Sequence, residues 1–135
     1  MSEALLRIEN LSTWIDTGGE PVRAVDGLSF EIERGETFAL LGESGCGKSI
    51  TALSIMRLLP DAGSVVGGSV EFEGRDLLRV PESEMRDVRG RSIAMIFQEP
   101  ALSLNPVMTA GGQMEEALRR HTELEGAALE ARVME

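Results

Sequence analysis

The sequence predicts an α/β fold in three stretches: an N-terminal antiparallel β region, then parallel core strands, then a helical region. Three observations predict it. Apolar and polar residues alternate in the early segments and at Ser69–Glu73; continuous apolar runs at Thr37–Leu41 and Ser92–Phe97 have the length of fully buried parallel strands; and only helical spacing follows Phe97. With 135 residues the chain has room for one ordinary domain, typically about 100–150 residues.

Leu5–Trp14 is short, apolar and broken by Asn10 and Ser12, which suits an edge strand. Asp16–Pro21 carries two glycines and a proline and reads as a turn. In Val22–Ile32 the apolar residues Leu28, Phe30 and Ile32 alternate with polar ones, the mark of a half-buried strand. Arg34-Gly35-Glu36 turns the chain into Thr37–Leu41. Three glycines then interrupt the pattern over Gly42–Gly47, and helical spacing resumes from Lys48 to Leu59, where Pro60 stops it. A further strand at Ser69–Glu73 and a short helix over Glu82–Val88 lead to the second apolar run, which ends at Gln98-Glu99-Pro100. Ala101–Pro106 is a loop, and Met114, Leu118, Leu124 and Leu129 among Glu and Arg predict one or two amphipathic helices separated near Gly126.

Composition removes several function classes. A net charge of −10 without a basic cluster argues against nucleic-acid binding. One cysteine and one histidine, His121, exclude a disulfide framework and a Cys/His metal site. No apolar run approaches the ~18 residues of a membrane span, and Glu3 without a long apolar stretch is no secretory signal, so the expected compartment is the cytoplasm. The thirteen basic residues are twelve arginines and a single lysine, Lys48. A site too narrow for a planar guanidinium would demand that choice.

Gly42-Glu43-Ser44-Gly45-Cys46-Gly47-Lys48-Ser49 fits G-x-x-x-x-G-K-[ST] in full, directly after an apolar strand pattern and opening a helix. Glycines let successive N–H groups curl around a phosphate, and the helix N-terminus, continuing through Ile50, adds partial positive charge. Lys48 would reach the β- and γ-phosphates and the Ser49 hydroxyl would take one place on a bridging Mg²⁺. The competing reading is a glycine-rich turn that binds nothing. Cys46 reads either as a redox switch or as a small side chain needed where backbone amides bind; the second is preferred.

The loop G-E-S-G-C-G-K-S and the Ser29–Leu41 segment before it resemble those of ATP-binding cassette (ABC) transporter ATPases. Met95–Pro100 resembles that family's Q-loop. Ser103–Thr109, the Asp16–Pro21 insert and the loop's Ile50-Thr51 ending resemble the branch that imports oligopeptides, dipeptides and nickel. The resemblance implies a P-loop NTPase fold of ABC type that binds ATP and Mg²⁺. It makes Gln98 the Q-loop glutamine, contacting the metal or the attacking water, at a hinge between a nucleotide-binding core (1–98) and an α-helical subdomain (99–135). It makes Trp14 the aromatic that stacks on adenine, an apt use of its face. Gln98 capping a strand end and Trp14 packing in the sheet remain open. The implied partners are transmembrane permease subunits and a second ATPase subunit, homo- or heterodimeric, at the cytoplasmic side of the inner membrane. A small-molecule kinase, a GTPase, or an ABC protein of DNA repair or translation are the other P-loop possibilities.

The family also uses an L-S-G-G-Q signature loop, an apolar strand ending in Asp-Glu and a switch histidine, and these 135 residues carry none of them. Ala110-Gly-Gly-Gln113 comes too early to be the signature loop and reads as a helix start; His121 reads as a surface residue of that helix. The expectation is therefore the N-terminal part of a transporter ATPase, ending within its helical subdomain, with ATPase activity a property of the complete subunit. Alone, the chain would be a nucleotide-binding fragment without turnover. Thr37–Leu41 and Ser92–Phe97 would lack parallel neighbours, leaving exposed edges prone to aggregation.

Overall fold

The computed structural model describes residues 4–135, so the reading of Glu3 lies outside the described residues. The chain forms two compact units, the first ending at Pro81 and the second spanning Glu82–Glu135.

The first unit is built on a four-stranded antiparallel sheet of β1 (Ala4–Ile15), β2 (Val22–Glu33), β3 (Gly63–Phe72) and β4 (Arg75–Asp76), in the order β2-β1-β3-β4. β1 is therefore central, which corrects its reading as an edge strand. Asn10 and Ser12 do not end it; they mark an irregularity within it. Asn10 adopts φ +49°, its N–H donates to Ser29 Oγ (2.8 Å), and Ser12 Oγ accepts from Gly27 N–H (3.0 Å). The pairing of β1 shifts register here against both neighbours. Gly68 closes the same irregularity from β3: its φ is +91°, and a Cβ there would lie 2.5 Å from the carbonyl oxygens of Glu9 and Asn10. β3 begins at Gly63, ahead of the predicted Ser69, because Gly63–Gly67 still pair with Ser12–Ile15 although glycines hide the alternation.

Ile8, Leu11, Val25, Val70, Phe72, Leu77 and Met56 are buried in this unit. On the exposed surface, Arg7 reaches across the sheet to Glu31 (2.7 Å) and Glu71 (3.8 Å), and its hydrogen bond to Glu31 raises its already high pKa. Helix α1 (Lys48–Met56) stops short of the predicted Leu59. Arg57 turns into the left-handed region at φ +52°, Leu58 N–H returns to Leu53 O (2.8 Å), and the Arg57 guanidinium donates to the carbonyls of Leu77 (3.2 Å) and Val80 (2.7 Å). The helix is thus ended by a left-handed cap fastened to the chain after β4, before Pro60 can act.

Neither apolar run forms the predicted parallel strand. Among the described residues no strand pairs with Thr37–Leu41, and the only ladder contact of Ser92–Phe97 is an isolated bridge from Ile93 to Arg89. Leu41 is 87% and Ile96 90% exposed. A parallel strand needs a partner edge and cover on both faces, and apolar composition supplies neither. Phe38 instead lays its ring on Phe30 of β2, centroids 4.7 Å apart and ring planes nearly parallel.

The second unit contains α2 (Glu82–Arg91), a 3-10 turn at Pro100–Ser103, α3 (Ala110–His121) and α4 (Gly126–Met134). The helical part of α2 ends where predicted, because Arg89 and Gly90 have non-helical angles. Met85 and Val88 of α2 and Leu129 of α4 are the buried apolar residues of this unit. His121, read as a surface residue, is half-buried against Gly90, where a Cβ would lie 2.5 Å from its Nε2.

Candidate functional site

The loop Gly42–Gly47 joins the extended Thr37–Leu41 segment to the first turn of α1. Cys46 N–H donates to Glu43 O (3.2 Å), tightening the loop into a turn. Gly45 and Gly47 have φ of +82° and +93°. At Gly45 a Cβ would meet nothing within 4 Å, so the backbone angle alone asks for glycine there. At Gly47 both angle and space ask for it, since a Cβ would sit 2.1 Å from Ala24 O. That carbonyl comes from an extra residue in β2: Thr13 pairs with Val25 and Trp14 with Arg23, leaving Ala24 bulged out of the ladder. Gly42 is tight in another way, a Cβ there falling 2.3 Å from Cys46 Sγ.

Lys48 turns its amine into the loop, donating to Gly42 O (2.6 Å) and Glu43 O (2.7 Å), with Cys46 Sγ at 3.5 Å. No side chain caps α1, so its opening amides face the loop without a side-chain acceptor. Ser49 is exposed on that first turn. Thr51, which the sequence reading quoted only for its resemblance and gave no role in the site, is buried and fixes Gly47 O with both its N–H and its hydroxyl, each at 2.8 Å. Its signal was the i to i+4 spacing from the loop's last glycine. Ala24 had none, because a bulge leaves the apolar pattern intact. A cleft of about 370 Å³ opens beside the loop, lined by Ala24–Ser29, Leu40–Leu41, Cys46–Lys48 and Thr51. A larger cavity of about 530 Å³ runs along Gly63–Gly68, but its one charged side chain, Arg57, is committed to the Leu77 and Val80 carbonyls.

Residues Gly42 to Ile50 are thus brought together as one cradle in the first unit. Its donor set of ammonium, helix-opening amides and hydroxyl fits a polyphosphate. Among the described residues no group of three His, Cys, Asp or Glu could hold a metal ion, so Ser49 could ligate one only alongside phosphate oxygens. Trp14 lies in the same unit, half-buried, with the Arg23 guanidinium carbon 5.3 Å from its ring centroid. Gln98 belongs to the second unit, on an exposed bend before the 3-10 turn.

Ala110–Gln113 is the start of a helix, as read: the Thr109 hydroxyl accepts from Gly112 N–H (3.1 Å) and caps α3. The Gln113 amide clamps the preceding loop. Its Oε1 accepts from Asn105 N–H (2.8 Å) and its Nε2 donates to Asn105 O (3.1 Å), while Asn105 Oδ1 accepts from Val107 N–H (3.1 Å). Gln113→Ala is expected to speed hydrogen exchange at the Asn105 and Val107 amides about tenfold, the effect of removing one such clamp. Unchanged rates at both amides would contradict the assignment.

A glycine cradle with one invaginated lysine at the head of a helix, flanked by an antiparallel sheet, defines a nucleotide-binding P-loop protein. The chain belongs to the ABC transporter family, whose pattern residues 25–134 match. It is 47% identical over 133 residues to the dipeptide transport ATP-binding protein DppD of Bacillus subtilis, covering 98% of this chain and 40% of that protein. It is 47% identical over 131 residues to a putative peptide import ATP-binding protein of Brucella abortus, covering 97% of this chain and 40% of that one. The chain therefore spans about two fifths of the length of the curated relatives it matches. Its fold is that of ATP-binding cassettes: a dimeric structure of the cassette MJ0796 bound to ADP and Pi superposes with a TM-score of 0.80 at 21% identity, over 96% of this chain and 54% of that one. Among the described residues no helix is long and apolar enough to cross a membrane.

Proposed function

We propose that the chain is the nucleotide-binding part of an ABC importer's ATP-binding subunit, coupling Mg·ATP binding and hydrolysis to uptake of peptides or a related small solute. The observation that carries this is the Lys48 amine held by two loop carbonyls, those of Gly42 and Glu43, at an uncapped helix start. The amides from Gly45 to Ile50 hold the phosphates, Lys48 neutralises the β- and γ-groups, and Trp14 stacks on adenine. Ser49 would take one place on Mg²⁺, which when bound would neutralise charge on those phosphates, and Gln98 would contact the metal or the attacking water. Residues 1–98 serve as the nucleotide-binding core and 99–135 as the start of the helical subdomain that meets the permease. A second ATPase subunit completes the dimer at the cytoplasmic face of the inner membrane. The names of the relatives support the peptide class and the permease partners.

Among the described residues no strand ends in an acidic pair that could polarise water, and the 135 residues assayed alone are expected to bind nucleotide without turnover. Trp14 is the only tryptophan, so its fluorescence reports the base directly. Titration with Mg·ATP is expected to quench it saturably, with no phosphate released. Absent quenching would remove Trp14 from the site, and sustained phosphate release would overturn the binding-only reading.

A further inference from the structure

We propose that Thr13 is a positioning residue that ties the base-binding strand to the phosphate-binding helix. The inference rests on the reading of Trp14 and the cradle given above and assigns a role to a residue that reading does not use. Thr13 and Ser54 are both 0% exposed, and their hydroxyls are 2.8 Å apart across the junction of β1 and α1. Ser54 Oγ donates its one proton to Ile50 O (2.6 Å), so the proton between the two hydroxyls comes from Thr13. The relay runs from the residue beside Trp14 to the carbonyl of a residue in the first turn of α1, whose amides face the phosphates.

A hydroxyl pair in an apolar junction is an expensive choice unless both members are satisfied, and here both are. Packing α1 on the sheet needs only apolar surface, which would slide or rotate at little cost. The one directional bond between the two elements, Thr13 to Ser54, fixes the axial position of the helix relative to β1, and the bond from Ser54 to Ile50 O, within α1, holds the Ser54 hydroxyl in place to receive it. The Ala24 bulge, whose carbonyl abuts Gly47, bears on the loop from β2 at the neighbouring pair. Base platform and phosphate cradle are thereby held at one separation.

A positional role differs from a general structural one in which ligands it affects. ATP spans both ends, whereas inorganic tripolyphosphate engages only the cradle. Calorimetric titration of the full chain with each, in Mg²⁺, is expected to show Thr13→Val weakening ATP about fivefold, as for one lost buried hydrogen bond, while tripolyphosphate stays within about twofold. Thr13→Ser, which keeps the hydroxyl, is expected to restore ATP affinity. Equal weakening of both ligands, or of neither, would overturn the inference; so would failure of Thr13→Ser to rescue. Trp14→Ala separates the two levels. If it lowers ATP affinity selectively while Thr13→Val does not, the positioning role alone falls. If it leaves the ratio of the two affinities unchanged, the stacking reading falls and takes this inference with it.

Discussion

Lys48→Ala is expected to weaken ATP binding by about 100-fold, the equivalent of losing one charge-assisted contact of about 3 kcal/mol. No other side-chain amine exists in the chain to compensate. In the protein itself the substitution removes bonds to Gly42 O and Glu43 O and the weak contact to Cys46 Sγ, all within an exposed loop, so the thermal midpoint should hardly move. Affinity would fall while the fold persists, and that separation is the point of the measurement. Lys48→Arg makes the complementary test: it keeps the charge but brings a planar fork into a loop sized for an ammonium, and it is expected to recover little of the affinity. Calorimetric titration of the three proteins decides it. Binding that survives Lys48→Ala within about threefold would dismantle the cradle assignment.

Gly47→Ala should do the reverse, damaging structure and ligand binding together. Alanine at φ +93° costs about 1–3 kcal/mol from backbone strain alone, and its methyl would also lie 2.1 Å from the bulged Ala24 carbonyl. Relief requires the loop to move off β2, carrying the opening amides of α1 with it. A fall in thermal midpoint of about 10 °C is expected, with loss of nucleotide binding. Gly45→Ala is the internal control, because it shares the positive angle but meets nothing within 4 Å. If the two variants behaved alike, the contact with Ala24 would carry no weight and backbone angle would explain both.

The cradle was legible because its chemistry is local: glycine spacing, one lysine and a following helix all fall within nine residues. The helices over Glu82–Val88 and from Ala110 were legible for the same reason, each marked by its own composition and boundary residues. The central place of β1 was not, because Asn10 and Ser12 look like strand breakers until Ser29 and Gly27 are placed across from them. Local pattern also misjudged the two apolar runs. Thr37–Leu41 and Ser92–Phe97 have the composition of buried strands, but strand formation depends on partners distant in sequence. Trp14 and Gln98 acquired their roles by resemblance; the residues themselves announce neither. Thr13 and Ser54, forty-one positions apart, carry no signal that any spacing rule would find.

An ammonium has three hydrogens, and in this loop two of them go to oxygen and the third faces sulfur. A thiol is a soft, feeble acceptor beside a phosphate oxygen. An arriving ligand can therefore take the third position by displacing the weakest of three partners while the other two stay engaged. Capture on these terms is a simple exchange at one proton, with an observed rate that rises linearly with nucleotide concentration and no slow unlatching step ahead of it.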